Sequence, residues 1–166
     1  VRDEEAYNIV GPIYMQLGLA VSPDDCSLAL RGLQTLALRL DQLEKSTLKI
    51  ALWLSENNII HEVYHPAFKS CPGHDIWKRD FTGSASVFSF TFVDNVSSKQ
   101  VETFINALHI FKIGLSWGGV TSLAVVYPDL VRPNKDFGGR LVRLNIGLEA
   151  VDDLINDLEL AISNIN

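Results

Sequence analysis

The 166-residue chain has only two cysteines, Cys26 and Cys71, and a single methionine. Two isolated cysteines exclude a disulfide framework and a four-cysteine zinc site, and free thiols in a reducing cytosol are the expectation. No apolar run reaches the roughly 18 residues of a membrane-spanning helix. No signal peptide opens the chain, and no repeat or low-complexity stretch interrupts it. Cationic clusters are missing too. Lys and Arg number 14 against 20 Asp and Glu, for a net charge of −6. Nucleic-acid surfaces need clustered cations to displace counterions, so the scattered Lys and Arg argue against that partner class. An initial Met is also lacking: the chain begins Val-Arg-Asp-Glu-Glu, and a piece of a longer or processed protein is expected.

What is present is ordinary globular composition, 47% hydrophobic and 20% charged, in a length that suits one domain. Residues 4–10 read as a short helix broken by Gly11-Pro12. Ser22-Pro23-Asp24-Asp25 is a helix start, with a capping serine, a proline suited to the first turn and aspartates at the positive end of the dipole. Leu36, Leu40, Leu43, Thr47, Ile50 and Leu54 continue the helical spacing to about residue 55, with Gly32 marking a bend. Residues 59–65 and 85–93 read as strands; in the second, Phe88, Phe90 and Phe92 share a face. Ser97-Ser98-Lys99-Gln100 is a capping box that opens an amphipathic helix. Residues 108–113, 123–127 and 141–146 read as strands, and 149–165 as a closing helix. Helices and strands do not alternate regularly. The expected class is α+β, a mostly antiparallel sheet covered by helices on one face, with a long helix before it.

Two motifs match by letter and fail by context. His61-Glu62-Val63-Tyr64-His65 fits H-E-x-x-H, which works only on a helix. Here it reads as a strand, which would set the two histidines about 13 Å apart, too far for one zinc ion. Gly114-Leu115-Ser116-Trp117-Gly118 fits the nucleophile elbow, but β-branched residues follow in place of a helix and every histidine lies upstream of Ser116.

The stretch Gly114 to Ser122, set between two predicted strands, is the most informative. Glycines beside Ser116 and Trp117 allow close approach of backbone to a ligand, or else mark a strand corner with Trp117 packed on the core. Arg143 alternates onto one face of its strand with Leu141 and Asn145. It is either a solvated arginine or a two-pronged grip for a carboxylate. Trp53 and Trp77 read as core residues, Cys71 as an unactivated thiol, and Asp152-Asp153 as a favourable helix start.

Four segments together resemble the C-terminal part of the pyridoxal-phosphate enzymes of cysteine and methionine metabolism. They are Arg31-Gly32-Leu33-Gln34-Thr35-Leu36, Pro72-Gly73-His74-Asp75-Ile76-Trp77-Lys78-Arg79, the Gly114 to Leu123 stretch, and Leu141-Val142-Arg143-Leu144-Asn145-Ile146-Gly147-Leu148-Glu149. Ser116-Trp117-Gly118-Gly119 and Ile146-Gly147-Leu148-Glu149 resemble the cystathionine β-lyase branch, where the γ-synthase and γ-lyase branches usually carry Leu at the position of Trp117. Three positions depart from the family pattern: Thr121 replaces a usual Glu, Gln34 a usual Arg or Lys, and Asn145 a His frequent in β-lyases.

The resemblance implies a fold-type I domain in which residues 1–21 connect to a cofactor-binding domain and residues 22–166 form the C-terminal substrate domain. It implies that Arg143 binds the substrate α-carboxylate, that Trp117 walls the pocket, and that Ser116 lies beside the carboxylate and the catalytic lysine. The family's cofactor lysine, phosphate-binding glycines and ring-stacking tyrosine would precede Val1, and none of the seven lysines stands in their context. Catalytic, cofactor-binding and metal residues are therefore not expected within the chain, which would be inactive alone. For the parent the resemblance implies pyridoxal 5'-phosphate, cleavage of cystathionine to homocysteine, pyruvate and ammonia, a homotetramer, and cytoplasmic residence without membrane or nucleic-acid partners. The alternatives are a γ-synthase or γ-lyase domain, or a non-catalytic binding or assembly module of the same fold.

Overall fold

The computed structural model describes residues 1–133 and 135–165. They divide into two units, residues 1–37 and residues 38–166. In the first unit, Asp3 caps α1 (Glu4–Gln16) by accepting the Ala6 N–H at 2.9 Å, and Glu4 and Glu5 complement the dipole of its first turn. The expected break at Gly11-Pro12 does not occur, and α1 runs through Pro12 to Gln16. Proline's fixed φ is helical, so the ring forfeits one hydrogen bond and forces a local adjustment without dictating a stop.

Ser22 caps α2 (Pro23–Leu33), accepting the Asp25 N–H at 3.0 Å. The single long helix expected from residue 22 to 55 is two. The Thr35 N–H turns back to the Gly32 carbonyl, three residues away, and α3 (Leu36–Ser55) starts anew. No residue of α1 or α2 is buried, and Tyr7, Ile9, Ile13, Leu28 and Leu30 are among the exposed apolar side chains.

From Leu38 onward α3 belongs to the second unit. Its buried positions are Leu43, Ser46, Thr47, Ile50, Ala51 and Leu54, a stripe at three- and four-residue spacing. The helical pattern itself began earlier, but Leu36 and Leu40 are exposed. Next come β1 (Ile60–Tyr64), α4 (His74–Asp80), β2 (Val87–Phe92) and α5 (Ser98–Ala107). The capping box at α5 is complete: Ser97 Oγ accepts the Gln100 N–H, and the Gln100 side chain accepts the Ser97 N–H. After α5 follow β3 (Lys112–Ile113), β4 (Leu123–Val126), the β5–β6 hairpin (Val131–Arg132 and Lys135–Asp136), β7 (Leu141–Asn145) and α6 (Val151–Ser163).

The main sheet has the order β1-β2-β7-β4-β3. Every pairing is antiparallel except β3 with β4. Pairing of Phe88 with Leu144, Phe90 with Val142, and Ala124 with Leu144 puts these side chains on one face. That face carries the core, completed by Ile50 and Leu54 of α3, Val101 and Phe104 of α5, and Leu154 and Leu158 of α6. The Phe90, Phe92 and Phe104 rings meet edge to face at 5.2–6.2 Å. The fold is therefore the expected α+β arrangement. Of the tryptophans expected in the core, Trp53 packs against its edge. Trp77 is only half-buried, donating its indole N–H to the Gly83 carbonyl at 3.1 Å.

One predicted strand is much shorter than the sequence suggests. Of residues 108–113, only Lys112 and Ile113 pair in the sheet. The backbone N–H groups of His109, Ile110 and Phe111 point instead to the Asp157 carboxylate of α6, at 2.8, 2.9 and 3.1 Å. Asp157 is 5% exposed, so a buried anion substitutes for a strand ladder. The β5–β6 hairpin, in a region that reads as loop, is tied down by Lys135, whose Nζ donates to Glu62 Oε2 at 2.8 Å and also contacts the Tyr64 hydroxyl.

Two stability predictions come from these buried polar groups. Asp157→Ala strands three amides at once and is expected to cost about 3 kcal/mol or more in urea denaturation; a loss of a few tenths would show that the three bonds contribute little. The second concerns His65, which is fully buried between the Phe68 and Phe88 rings. Its Nδ1 accepts the Ala67 N–H at 3.2 Å, and its Nε2 has no partner among the described residues. Burial pushes the imidazole below its ordinary pKa, with the Glu44 carboxylate opposing. The unfolded chain therefore takes up this proton first as pH falls, so the His65 contribution is complete above about pH 6.5 and is lost below it until the folded imidazole itself titrates. Melting temperatures at pH 7.5 and 5.5 are expected to fall further for the wild type than for His65→Leu; equal falls would clear His65 of this role.

Candidate functional site

Strand β7 builds the site. It lies between β2 and β4, and its side chains alternate. Val142 and Leu144 enter the core, while Arg143 and Asn145 project to the opposite face. Ser89 of β2 and Val125 of β4 flank Arg143, and Val87 and Leu123 flank Asn145.

Over this face runs the corner, residues 114–122, which joins β3 to β4. Because these strands are parallel, the chain must double back between them. Gly118 takes a φ of +77°, where a side chain would strain the backbone. The corner's polar backbone is satisfied by β7 and the segment after it. Arg143 Nη2 donates to the Leu115 carbonyl at 2.6 Å and approaches the Ser116 carbonyl at 3.5 Å. Its guanidinium carbon lies 5.7 Å from the centroid of the Tyr127 ring. Asn145 Oδ1 accepts the Gly118 N–H at 2.8 Å, and its Nδ2 donates to the Thr121 carbonyl at 3.1 Å.

Glu149 closes the far end, accepting the Ser122 N–H at 2.9 Å and the Ser122 hydroxyl at 2.8 Å. Ser122 Oγ in turn accepts the Gly147 N–H at 2.8 Å. Gly147 is needed here for space: a Cβ would come within 2.3 Å of the Val120 carbonyl and 2.6 Å of the Ser122 nitrogen.

The corner thus brings together the three residues singled out from the sequence. Ser116 and Trp117 are exposed on it, and half-buried Arg143 reaches it from β7. Trp117 is 66% exposed and does not pack on the core, so the bland reading of the corner fails at that residue. Arg143 is anchored rather than freely solvated, yet among the described residues its hydrogen bonds all come from Nη2, leaving other N–H donors of its planar fork for a carboxylate.

Sequence reasoning missed the anchoring duties of Asn145 and Glu149. The signal available for Asn145 was its alternation onto the Arg143 face; Glu149 gave none, because its partner Ser122 lies 27 residues away.

The other motifs stay apart from the site. His61 is exposed on β1, and His65 is buried just beyond its end. The chain after Ser116 enters β4 and not a helix, so the elbow framework is absent around it. Burial, helped by the charge of Glu62, pushes the Cys71 thiol up, away from reactivity. Four lysines have defined side-chain partners, all outside the corner: Lys45 on Asp41, Lys49 on Asp152, Lys112 on the His109 carbonyl and Lys135 on Glu62. Among the described residues, no helix is long and apolar enough to cross a membrane.

Comparison with known proteins gives a consistent result. Residues 2–163 match the family described as Cys/Met metabolism PLP-dependent enzyme. A cystathionine beta-lyase of Haemophilus influenzae is 41% identical over 155 residues, covering 90% of this chain and 39% of the relative. An L-alanine/L-glutamate racemase of Wolbachia pipientis is 32% identical over 99% of this chain and 42% of its own length. Among solved structures, an O-acetylhomoserine sulfhydrylase of the methionine biosynthetic pathway of Wolinella succinogenes superposes with a TM-score of 0.83 at 25% identity, covering 95% of this chain and 43% of that one. The chain spans about two-fifths of the length of these relatives. With residues 2–163 matching its model and the fold shared with a solved structure, the chain belongs to the Cys/Met metabolism family of PLP-dependent enzymes.

Proposed function

We propose that the chain is the C-terminal substrate domain of a carbon–sulfur lyase that cleaves L-cystathionine to homocysteine, pyruvate and ammonia. The observation that carries this reading is Arg143. Its guanidinium is held at the glycine-rich corner by the Leu115 carbonyl at 2.6 Å, with donors to spare, beside exposed Ser116 and Trp117. A fixed planar cation next to an aromatic surface suits an amino acid whose α-carboxylate needs two parallel bonds and whose side chain needs an apolar wall. The 41% identity to cystathionine beta-lyases of Haemophilus influenzae and Escherichia coli supports the choice of reaction.

In this reading the residues of the chain bind and orient. Arg143 fixes the α-carboxylate, Trp117 limits the pocket, and Ser116 offers a polar contact beside the carboxylate. Pyridoxal phosphate in the parent protein would supply the electron sink for chemistry at the α-carbon. In this reading the parent's cofactor domain would hold that group, and the chain alone is expected to be inactive. Residues 1–21 would connect to the cofactor domain, and the parent would be a cytoplasmic homotetramer.

The test uses the chain extended in its natural reading frame to the length of its relatives. Arg143→Lys keeps the charge and loses the fork, and is expected to lower kcat/KM for L-cystathionine by about 10- to 100-fold, mainly through KM. Unchanged kinetics would remove Arg143 from substrate binding. Trp117→Leu is expected to weaken cystathionine turnover by about tenfold, the order of effect of one apolar contact. Turnover of an O-acylated homoserine or racemisation of alanine, with no cystathionine cleavage, would place the protein with the sulfhydrylase or the racemase instead.

A further inference from the structure

Arg143 and Asn145 stand two residues apart on one face of β7 and hold the two arms of the corner. Arg143 takes the incoming arm through the Leu115 carbonyl. Asn145 takes the outgoing arm through the Gly118 N–H and the Thr121 carbonyl. Ser116 and Trp117 lie between these anchors. The anchors differ in permanence. A carboxylate on the spare Arg143 donors would pull on the same guanidinium that holds the Leu115 carbonyl. Asn145 is 1% exposed and its bonds are all internal, so a ligand does not compete for them.

We infer that Asn145 is the positioning residue of this site, the ligand-independent anchor that sets the conformation of Ser116 and Trp117; this rests on the substrate-binding reading of the corner. The requirement is for a carboxamide. Gly118 presents a donor and needs an acceptor, while Thr121 presents an acceptor and needs a donor. These two single-role partners fix which end of the amide faces Gly118, and Ser86 donates its hydroxyl to the same Asn145 Oδ1 at 2.9 Å. A carboxylic acid reproduces this pattern while protonated. Once ionised it presents only acceptors, and it repels the Thr121 carbonyl. Among the described residues, the charged side chains hydrogen-bonded to the corner are Arg143, on the same strand face, and Glu149, on Ser122. The cross-strand neighbours of Asn145, Val87 and Leu123, carry no charge.

Asn145→Asp therefore converts a permanent anchor into one that depends on pH, and the chain as it stands allows the test. Amide hydrogen exchange of Gly118 and the carbonyl 13C shift of Thr121 are followed by NMR at pH 5 and pH 8, the exchange corrected for its intrinsic pH dependence. In the wild type both are expected to be equal at the two pH values. In Asn145→Asp the carboxylate still accepts the Gly118 N–H and gives up the Thr121 carbonyl, so Gly118 is expected to stay protected while the Thr121 carbonyl shift moves between the two pH values. Asn145→Ser, which is too short to span both partners, is expected to lower Gly118 protection about tenfold or more at both pH values. Amides of β2 and α6 are expected to keep their protection. Full protection of Gly118 in folded Asn145→Ser, a Thr121 carbonyl shift that ignores pH in folded Asn145→Asp, or a uniform loss of protection across β2 and α6 would overturn the assignment.

In the chain extended to the length of its relatives, Asn145→Asp is expected to raise the KM for its amino-acid substrate progressively from pH 6 to pH 8.5, with kcat changed far less. A pH-independent fall in kcat alone would overturn the positioning role. Loss of Gly118 protection in a protein that turns over no amino acid would leave the anchor standing and refute only the proposed function.

Discussion

A single strand with two incompatible faces governs this structure. β7 is paired on both sides, antiparallel to β2 and to β4, so its register is fixed twice over. A slip of one residue would drive Arg143 and Asn145 into the core and expel Val142 and Leu144. The cost of burying an unpaired guanidinium makes that slip prohibitive. The aromatic cluster of Phe90, Phe92 and Phe104 on one side thus determines, through the pleat, where Arg143 and Asn145 point on the other.

The second constraint is the short parallel connection from β3 to β4. It leaves the corner with backbone groups that the sheet does not pair, and β7 and its continuation meet them with side chains: Arg143 for Leu115, Asn145 for Gly118 and Thr121, Glu149 for Ser122. The same economy appears at Asp157, where one carboxylate gathers three amides that a longer strand would have paired. In both places a polar side chain from a neighbouring element replaces regular secondary structure. Only at the corner does the arrangement leave spare cationic donors facing outward, which is why that corner reads as a site and the Asp157 turn as support.

Local signals foretold much of this. Ser22 and Ser97 are caps because their side chains reach amides three residues on, an event written within four residues of sequence. The alternation in 85–93 and 141–146 placed the phenylalanines and Arg143 on their faces without tertiary information. The failures at the sheet and the corner are non-local. The shortening of the 108–113 strand depends on Asp157, 46 to 48 residues away. The anchoring of the corner depends on Asn145 and Glu149, 24 to 27 residues away. Nor did the sequence foretell the pairing of Val131 with Asp136 and of Arg132 with Lys135. Leu36 and Leu40 continue the helical spacing of α3 and are nonetheless exposed: periodicity defines a stripe and does not say how much of it is covered.

The central claim is that β7 presents Arg143 to a ligand carboxylate beneath a corner whose outgoing arm stays fixed. Its most direct test is a crystal structure of the chain extended to the length of its relatives, with an unreactive amino acid bound. The account predicts the α-carboxylate on the Arg143 guanidinium, close to Ser116 and Trp117, with the Asn145 bonds to Gly118 and Thr121 retained. A carboxylate held elsewhere, with Arg143 still engaged only with the Leu115 and Ser116 carbonyls, would contradict it.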